Sequence, residues 1–173
     1  MTRDELARRI AEVSLLRGEF TLRSGRKSNY YLDKYRFETQ PDVLKALGEM
    51  FADRVSASVD RIAGAELGAV ALAAAASLAS DLPFLIVRKE AKGYGTQQRL
   101  EGRWEAGACA CLVEDVVTSG GAAVSAVEAL REAGLRVSTA VCVVDREEGG
   151  VDELARHAVR LRPLFRASDV LAA

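Results

Sequence analysis

Two adjacent carboxylates, Glu114 and Asp115, follow an apolar run and precede Val116-Val117-Thr118-Ser119-Gly120-Gly121-Ala122, where a helical pattern begins. These residue types in this order suit chemistry on a phosphorylated sugar. A turn of small residues at a helix N-terminus presents successive backbone N–H groups and forms a nest for a phosphate monoester, with the Thr118 and Ser119 hydroxyls to assist. Gly120 and Gly121 let the backbone approach the phosphate closely. Glu114 and Asp115 would repel a polyphosphate laid against them, but they can accept hydrogen bonds from ribose hydroxyls. No G-x-x-x-x-G-K-[ST] occurs, and no G-x-G-x-x-G follows a strand. A second charged group, Arg88, Lys89, Lys92, Arg99 and Arg103, reads either as a solvated face or as an anion site. Arg88 and Lys89 directly follow a buried run, which favours the anion site.

These residues need a scaffold. With 173 residues, 49% hydrophobic and 28% charged, the chain suits one globular domain. Lys+Arg 24 against Asp+Glu 25 leaves a formal charge of -1, so there is no global basic field for nucleic acid or an anionic membrane. Any anion site must be a local cluster. The most apolar stretch, Leu67 to Ala79, is too short for a bilayer span. The opening MTRDELARRI carries no apolar signal core, so a cytoplasmic protein is expected. Cys109 and Cys111, two apart on a strand, share one face and read as buried thiols rather than metal ligands. His157, the single histidine, reads as structural, and Trp104 as a packing residue.

Thr2 and Glu5 make a capping box for a first helix with Leu6, Ile10, Val13 and Leu16 on one face, ended by Gly18. The basic and aromatic stretch from Phe20 to Glu38 reads as irregular. A second helix opens at Thr39, with Pro41 in its first turn and Leu44, Leu47, Phe51 and Val55 inward. Strands are expected over Asp60–Ala63, Pro83–Val87, Ala108–Val113 and Val137–Val144, alternating with helices and with one long loop, Arg88 to about Gly107. Runs apolar on both faces predict an α/β fold with a parallel sheet covered on both sides. In such sheets ligands sit beyond the carboxyl ends of the strands. The charged residues at those ends therefore converge on one rim. The opening helix and the tail from Arg160 to Ala173 are expected to supply packing and part of a hood.

VEDVVTSGGAA resembles the phosphoribosyl-pyrophosphate (PRPP) motif of type I phosphoribosyltransferases. Four further segments narrow the resemblance to orotate phosphoribosyltransferases: FTLRSGRKSNYYLD, GAELG, VRKEAKGYGTQQRLEG and VVDREEGG. All five stand in the family's order between about Phe20 and Gly150. The resemblance implies a type I phosphoribosyltransferase fold, a parallel twisted sheet flanked by helices, in a single domain over 1–173 with a small N-terminal hood of about 1–40. It implies transfer of the phosphoribosyl group of PRPP to orotate, and a homodimer whose catalytic loop is shared between subunits. It also implies Mg2+ held mainly through PRPP, with no metal ligands from the protein.

By position, the resemblance gives Glu114 and Asp115 the ribose hydroxyls, and Val116 and Val117 the lead into the phosphate loop of Thr118, Ser119, Gly120, Gly121 and Ala122. Arg88, Lys89 and Lys92 meet the pyrophosphate and, with Asp115, form the catalytic group. Arg23 and Tyr94 also lie on the PRPP side. Tyr30, Tyr31, Thr118 and Arg146 bound the orotate pocket. In many members the loop carries His where Tyr94 stands and an acid where Thr96 stands, and some carry Lys at the position of Leu67. Two other readings keep the PRPP motif: transfer to another base, and a PRPP-sensing regulator without catalysis. Asp145-Arg146 and the Tyr30-Tyr31 segment argue against the first. The intact basic loop and the absence of a basic face argue against the second.

Overall fold

The structure is a computed structural model that describes residues 1–21, 25, 27–90 and 99–173. Helix α1 (Arg3–Ser14) starts at the expected capping box: Glu5 N–H donates to Thr2 Oγ1 at 3.2 Å and Thr2 N–H to Glu5 Oε2 at 2.7 Å. It buries Leu6 and Ile10 completely. The helix stops at Ser14 rather than at Gly18, because Leu15 enters strand β1 (Leu15–Thr21). Leu16, expected on the helix face, pairs instead with Tyr31 of β2 (Lys27–Leu32). The stretch read as irregular is thus an antiparallel hairpin followed by the short helix α2 (Lys34–Glu38). A hairpin with one wetted face does not need the apolar density of a core strand, which hid it from a search for apolar runs.

Helix α3 (Pro41–Ala52) has Pro41 in its first turn and Gln40, one residue past Thr39, as its cap. Leu47 and Phe51 are fully buried, while Leu44 and Val55 pack against the core only partly. Strand β3 (Arg61–Ala65) leads to the alanine-rich α4 (Gly68–Ser80). A side chain at Gly48 would lie 2.7 Å from the Ala75 carbonyl, so the approach of α3 to α4 requires that glycine. Strand β4 (Phe84–Val87) is paired at the sheet edge by the two-residue β5 (Leu100–Glu101), which the long-loop reading missed. Strand β6 (Cys109–Val117) runs four residues beyond the expected Val113. Glu114 and Asp115 break the apolar pattern, yet Glu114 keeps its pairing with Cys142. Then follow α5 (Gly121–Glu132), β7 (Arg136–Asp145), α6 (Gly150–Arg156), β8 (Arg160–Arg166) and α7 (Ala167–Ala172). The first half of the tail is therefore a sheet strand, and α7 is tied to α1 by the Arg3–Asp169 ion pair at 2.7 Å.

The main sheet has the order β5-β4-β3-β6-β7-β8, parallel except for β5. One face packs on α1, α3, α4 and α7 through residues such as Phe51, Leu72 and Val170; the other buries Val127, Leu130 and Leu154 from α5 and α6. Along β6 the side chains alternate: Cys111 and Val113 serve the first core, Ala110 and Leu112 the second. By that alternation Asp115 faces α4 and α2, and Glu114 faces α5. Cys109 is half-buried, Cys111 and Cys142 are buried, and burial pushes the Cys111 thiol up to about 12. Trp104 packs against the second core and donates to the Ala133 carbonyl at 3.1 Å. No helix of the described residues is long and apolar enough to cross a membrane.

Candidate active site

Strand β6 ends at Val117 in the middle of the sheet, and the chain turns through Thr118 and Ser119 to Gly120, which caps α5 with φ 88°. The first intrahelical bond is donated by Val124 N–H to the Gly120 carbonyl at 2.9 Å. The amides of Gly121, Ala122 and Ala123 precede it and have no helical acceptor. They stand at the positive end of a 12-residue helix, where an anion is stabilised. Thr118 and Ser119 are exposed beside them. The turn is braced from behind: a side chain at Gly150 would overlap Val117 and lie 2.7 Å from the Thr118 carbonyl. A pocket of about 340 Å³ lies over this turn, bounded by Glu114 and by the residues from Val116 to Ala123.

A second pocket, of about 270 Å³, adjoins the first and shares Glu114, Val116 and Ala122 with it. Its far wall is cationic: Lys34, Arg88, Lys89 and Arg99. Glu114 therefore stands where the two pockets meet, and Asp115 lines the second beside it. That layout suits a ligand with anionic ends and an uncharged, hydroxyl-bearing middle. Arg88 and Lys89 sit at the carboxyl end of β4. Lys89 N–H donates to Glu66 Oε1 at 2.6 Å, and Arg88 N–H to the Arg99 carbonyl at 2.7 Å. Arg99 donates back to the Arg88 carbonyl at 3.1 Å and to Ser125 Oγ at 3.2 Å, joining this wall to α5.

Asp115 is clamped at both oxygens: Lys34 Nζ donates to Oδ2 at 2.5 Å and Val116 N–H to Oδ1 at 2.5 Å. Burial works against the Lys34 charge, but the hydrogen bond and attraction of Asp115 outweigh it and hold the ammonium above its ordinary range. Glu114 is pushed up to about 8, first by burial and then by the Asp115 charge. Glu38, from α2, is pushed up to about 8 by the same two causes. Oε1 of each is buried without a hydrogen-bond partner among the described residues.

On the far side of β7, the Arg146 guanidinium lies 5.0 Å from the Tyr30 ring centre and 3.4 Å from Glu148 Oε1. Its Nε is buried without a hydrogen-bond partner among the described residues. Arg146 N–H donates to the Val117 carbonyl at 2.8 Å, which links this corner to the turn that opens α5. Tyr31 alternates to the other face of the hairpin and packs on Phe20, with ring centres 5.7 Å apart. The structure thus brings Tyr30 to Arg146 and leaves Tyr31 on the opposite side. Arg23, Lys92 and Tyr94, and Thr96 with them, lie outside the described residues. Sequence reasoning missed Lys34 and Glu38, since nothing local marks a lysine that reaches a carboxylate 81 positions away.

No family model matches the chain. It is 51% identical over 154 residues, 89% of this chain and 88% of the relative, to orotate phosphoribosyltransferase of Methanocella arvoryzae. The crystal structure of Mycobacterium tuberculosis H37Rv orotate phosphoribosyltransferase in complex with Fe(III) dicitrate superposes with a TM-score of 0.87 at 31% identity, covering 97% of this chain and 98% of that one. The same enzyme in complex with PRPP superposes with a TM-score of 0.83 at 29% identity, covering 97% and 98%. The parallel sheet with helices on both faces is the architecture of those structures. With half of its residues shared across nine-tenths of its length, and the fold shared throughout, the chain belongs to the orotate phosphoribosyltransferase family.

Proposed function

We propose that this chain transfers the 5-phosphoribosyl group of PRPP to orotate, giving orotidine 5'-phosphate and pyrophosphate in pyrimidine synthesis. The observation that carries the reading is the pair of adjoining pockets with Glu114 at their junction and Asp115 next to it in the second. The 5-phosphate sits on the amides of Thr118 to Ala122. The ribose hydroxyls meet Glu114 and Asp115. The pyrophosphate extends toward Arg88 and Lys89, joined by Lys92, Tyr94 and Arg23. Orotate lies toward Tyr30, Thr118 and Arg146, where the buried Arg146 Nε–H has a donor to give, with Tyr31 left out of the pocket because it packs on Phe20.

The C1–O bond to pyrophosphate breaks as a ring nitrogen of orotate bonds to C1. Positive charge develops on the ribose and negative charge on the leaving oxygens. Asp115 stands near the first, and Arg88, Lys89 and Lys92 stabilise the second; such preorganised contacts are worth about 10²–10³ each in turnover. The attacking nitrogen ionises readily, so no protein base is needed. Among the described residues no cluster of three His, Cys, Asp or Glu could hold a metal ion, and Asp115 is engaged by Lys34. That donor set fits Mg2+ carried on substrate oxygens rather than in a protein cage. Bound that way, Mg2+ would neutralise the pyrophosphate as its charge grows.

The reading includes one domain over 1–173 with a hood of about 1–40, a homodimer whose catalytic loop, Val87 to Gly102, is shared between subunits, and a cytoplasmic setting. The test is to incubate the protein with PRPP, Mg2+ and a panel of bases and follow orotate absorbance with product chromatography. Loss of orotate with appearance of pyrophosphate is expected. Turnover of a purine alone, or none at all, would overturn it.

A further inference from the structure

Lys34 belongs to neither the phosphate turn nor the cationic loop. It lies two residues beyond β2, on the first turn of α2, and reaches across the cleft to a strand of the main sheet. Its side chain is one-third exposed, while that of Asp115 is 6% exposed. The lysine thus meets a buried carboxylate from the pocket side. There is no slack in the contact: a side chain at Gly68 would overlap Asp115 Oδ2 and lie 3.1 Å from Lys34 Nζ. The Tyr35 ring flanks the ammonium at 5.2 Å.

A carboxylate has about four lone-pair positions. Val116 N–H takes one on Oδ1 and Lys34 one on Oδ2, and protonated Glu38 hydrogen-bonds the same carboxylate, so one position stays open to an outside donor. A charged acceptor held in one orientation suits a hydroxyl of a pentose. Without Lys34, Asp115 would stand ionised beside the buried Glu114 and Glu38, with no counter-charge on Oδ2 and its rotamer unheld. A buried charge that has lost its partner takes up a proton or turns away, and in either case the charged acceptor is lost.

We infer that Lys34 is a positioning residue for PRPP, acting through Asp115: it fixes the orientation and charge of the carboxylate that receives the ribose hydroxyls. The inference rests on the ribose role proposed for Asp115. Because Lys34 continues the strand that carries Tyr30, it also ties the base side of the cleft to the ribose side.

The test compares Lys34→Met, Asp115→Asn and the double variant, reading KM for PRPP, KM for orotate and kcat in the orotate assay, with PRPP binding by calorimetry. Lys34→Met should raise the PRPP KM about tenfold or more and leave the orotate KM within about twofold. The double variant should bind PRPP no worse than Asp115→Asn alone, since the lysine acts through the aspartate. A Lys34→Met protein with unchanged PRPP KM, beside an impaired Asp115→Asn, overturns the inference and leaves the ribose reading standing. An unimpaired Asp115→Asn overturns the ribose reading itself, and the inference with it. If Lys34→Met does not fold, the double variant strands no charge and decides alone. PRPP affinity equal to that of Asp115→Asn supports the inference, and a further loss shows that Lys34 acts on PRPP directly and overturns it.

Discussion

The two ends of the cleft handle charge by different means. At the α5 end the chain offers backbone: the amides behind Gly120, two exposed hydroxyls and no cationic side chain among the lining residues. At the β4 end it offers side chains, Lys34, Arg88, Lys89 and Arg99: Lys34 and Arg99 are hydrogen-bonded through the side chain, Arg88 pairs with Glu101 at 3.8 Å, and Lys89 is held by its backbone. A backbone nest is rigid and of fixed charge, which suits a group that is held unchanged. Side chains can follow a group that gains charge and departs. On the function proposed above, binding and leaving-group stabilisation fall at opposite ends, so damage at each end should have its own kinetic signature.

The largest effect is expected at the β4 end. Lys89→Ala should lower kcat by about 10²–10³ while PRPP affinity stays nearly intact. The loss falls on charge that develops only as the bond breaks, and Glu66 still holds the Lys89 backbone in place. Stopped-time assays beside calorimetry separate the two quantities, and undiminished turnover would remove Lys89 from the mechanism. At the α5 end the expected pattern is reversed. In Gly120→Ala a side chain would be placed at φ 88° and 3.2 Å from the Gly150 carbonyl and from Glu153 Cβ. Such strain costs about 1–3 kcal/mol, or about 2–4 °C of melting temperature per kcal/mol in a chain of this size. The moved amides should raise the PRPP KM more than they lower kcat. A variant with parental melting and KM would show that the turn does not hold the phosphate.

What the sequence made legible at each end follows from how local the signal is. Glu114 to Ala122 is one continuous segment, so strand, turn and helix start could be read together, and the structure keeps that order. Arg88 and Lys89 were legible because they follow an apolar strand. Lys34 and Glu38 were not, because their meaning depends on partners brought close only by the folded sheet. The β1–β2 hairpin and β5 escaped for a related reason. They lie at wetted edges, where pairing rather than apolar content makes the strand. Leu16 shows the limit of periodicity: it fits a helix stripe, yet pairing with Tyr31 prevails over the Gly18 stop signal.

The smallest effect separates the two ends by titration rather than by substitution of a ligand contact. Glu38 and Glu114 keep their protons to about 8 in the folded chain, against an ordinary value of 4.5. Between those values the folded state binds more protons than the unfolded one, so stability is full below the lower value and falls as pH rises through the upper one. Other shifted groups lie outside that window. Glu5, Asp42 and Asp169 are held low by hydrogen bonds and lose their contribution only in acid, while Lys34 is held high and stays charged. Urea midpoints should therefore be lower at about pH 8, still below the range where the raised Cys111 and Cys142 thiols begin to matter, than at about pH 5.5. Glu38→Gln, which cannot ionise, should shrink that difference by removing one of its two sources. A variant whose midpoints run parallel to the parent's would mean that Glu38 is already ionised, and the buried acids beneath Lys34 would then be no more titratable than the backbone nest across the cleft.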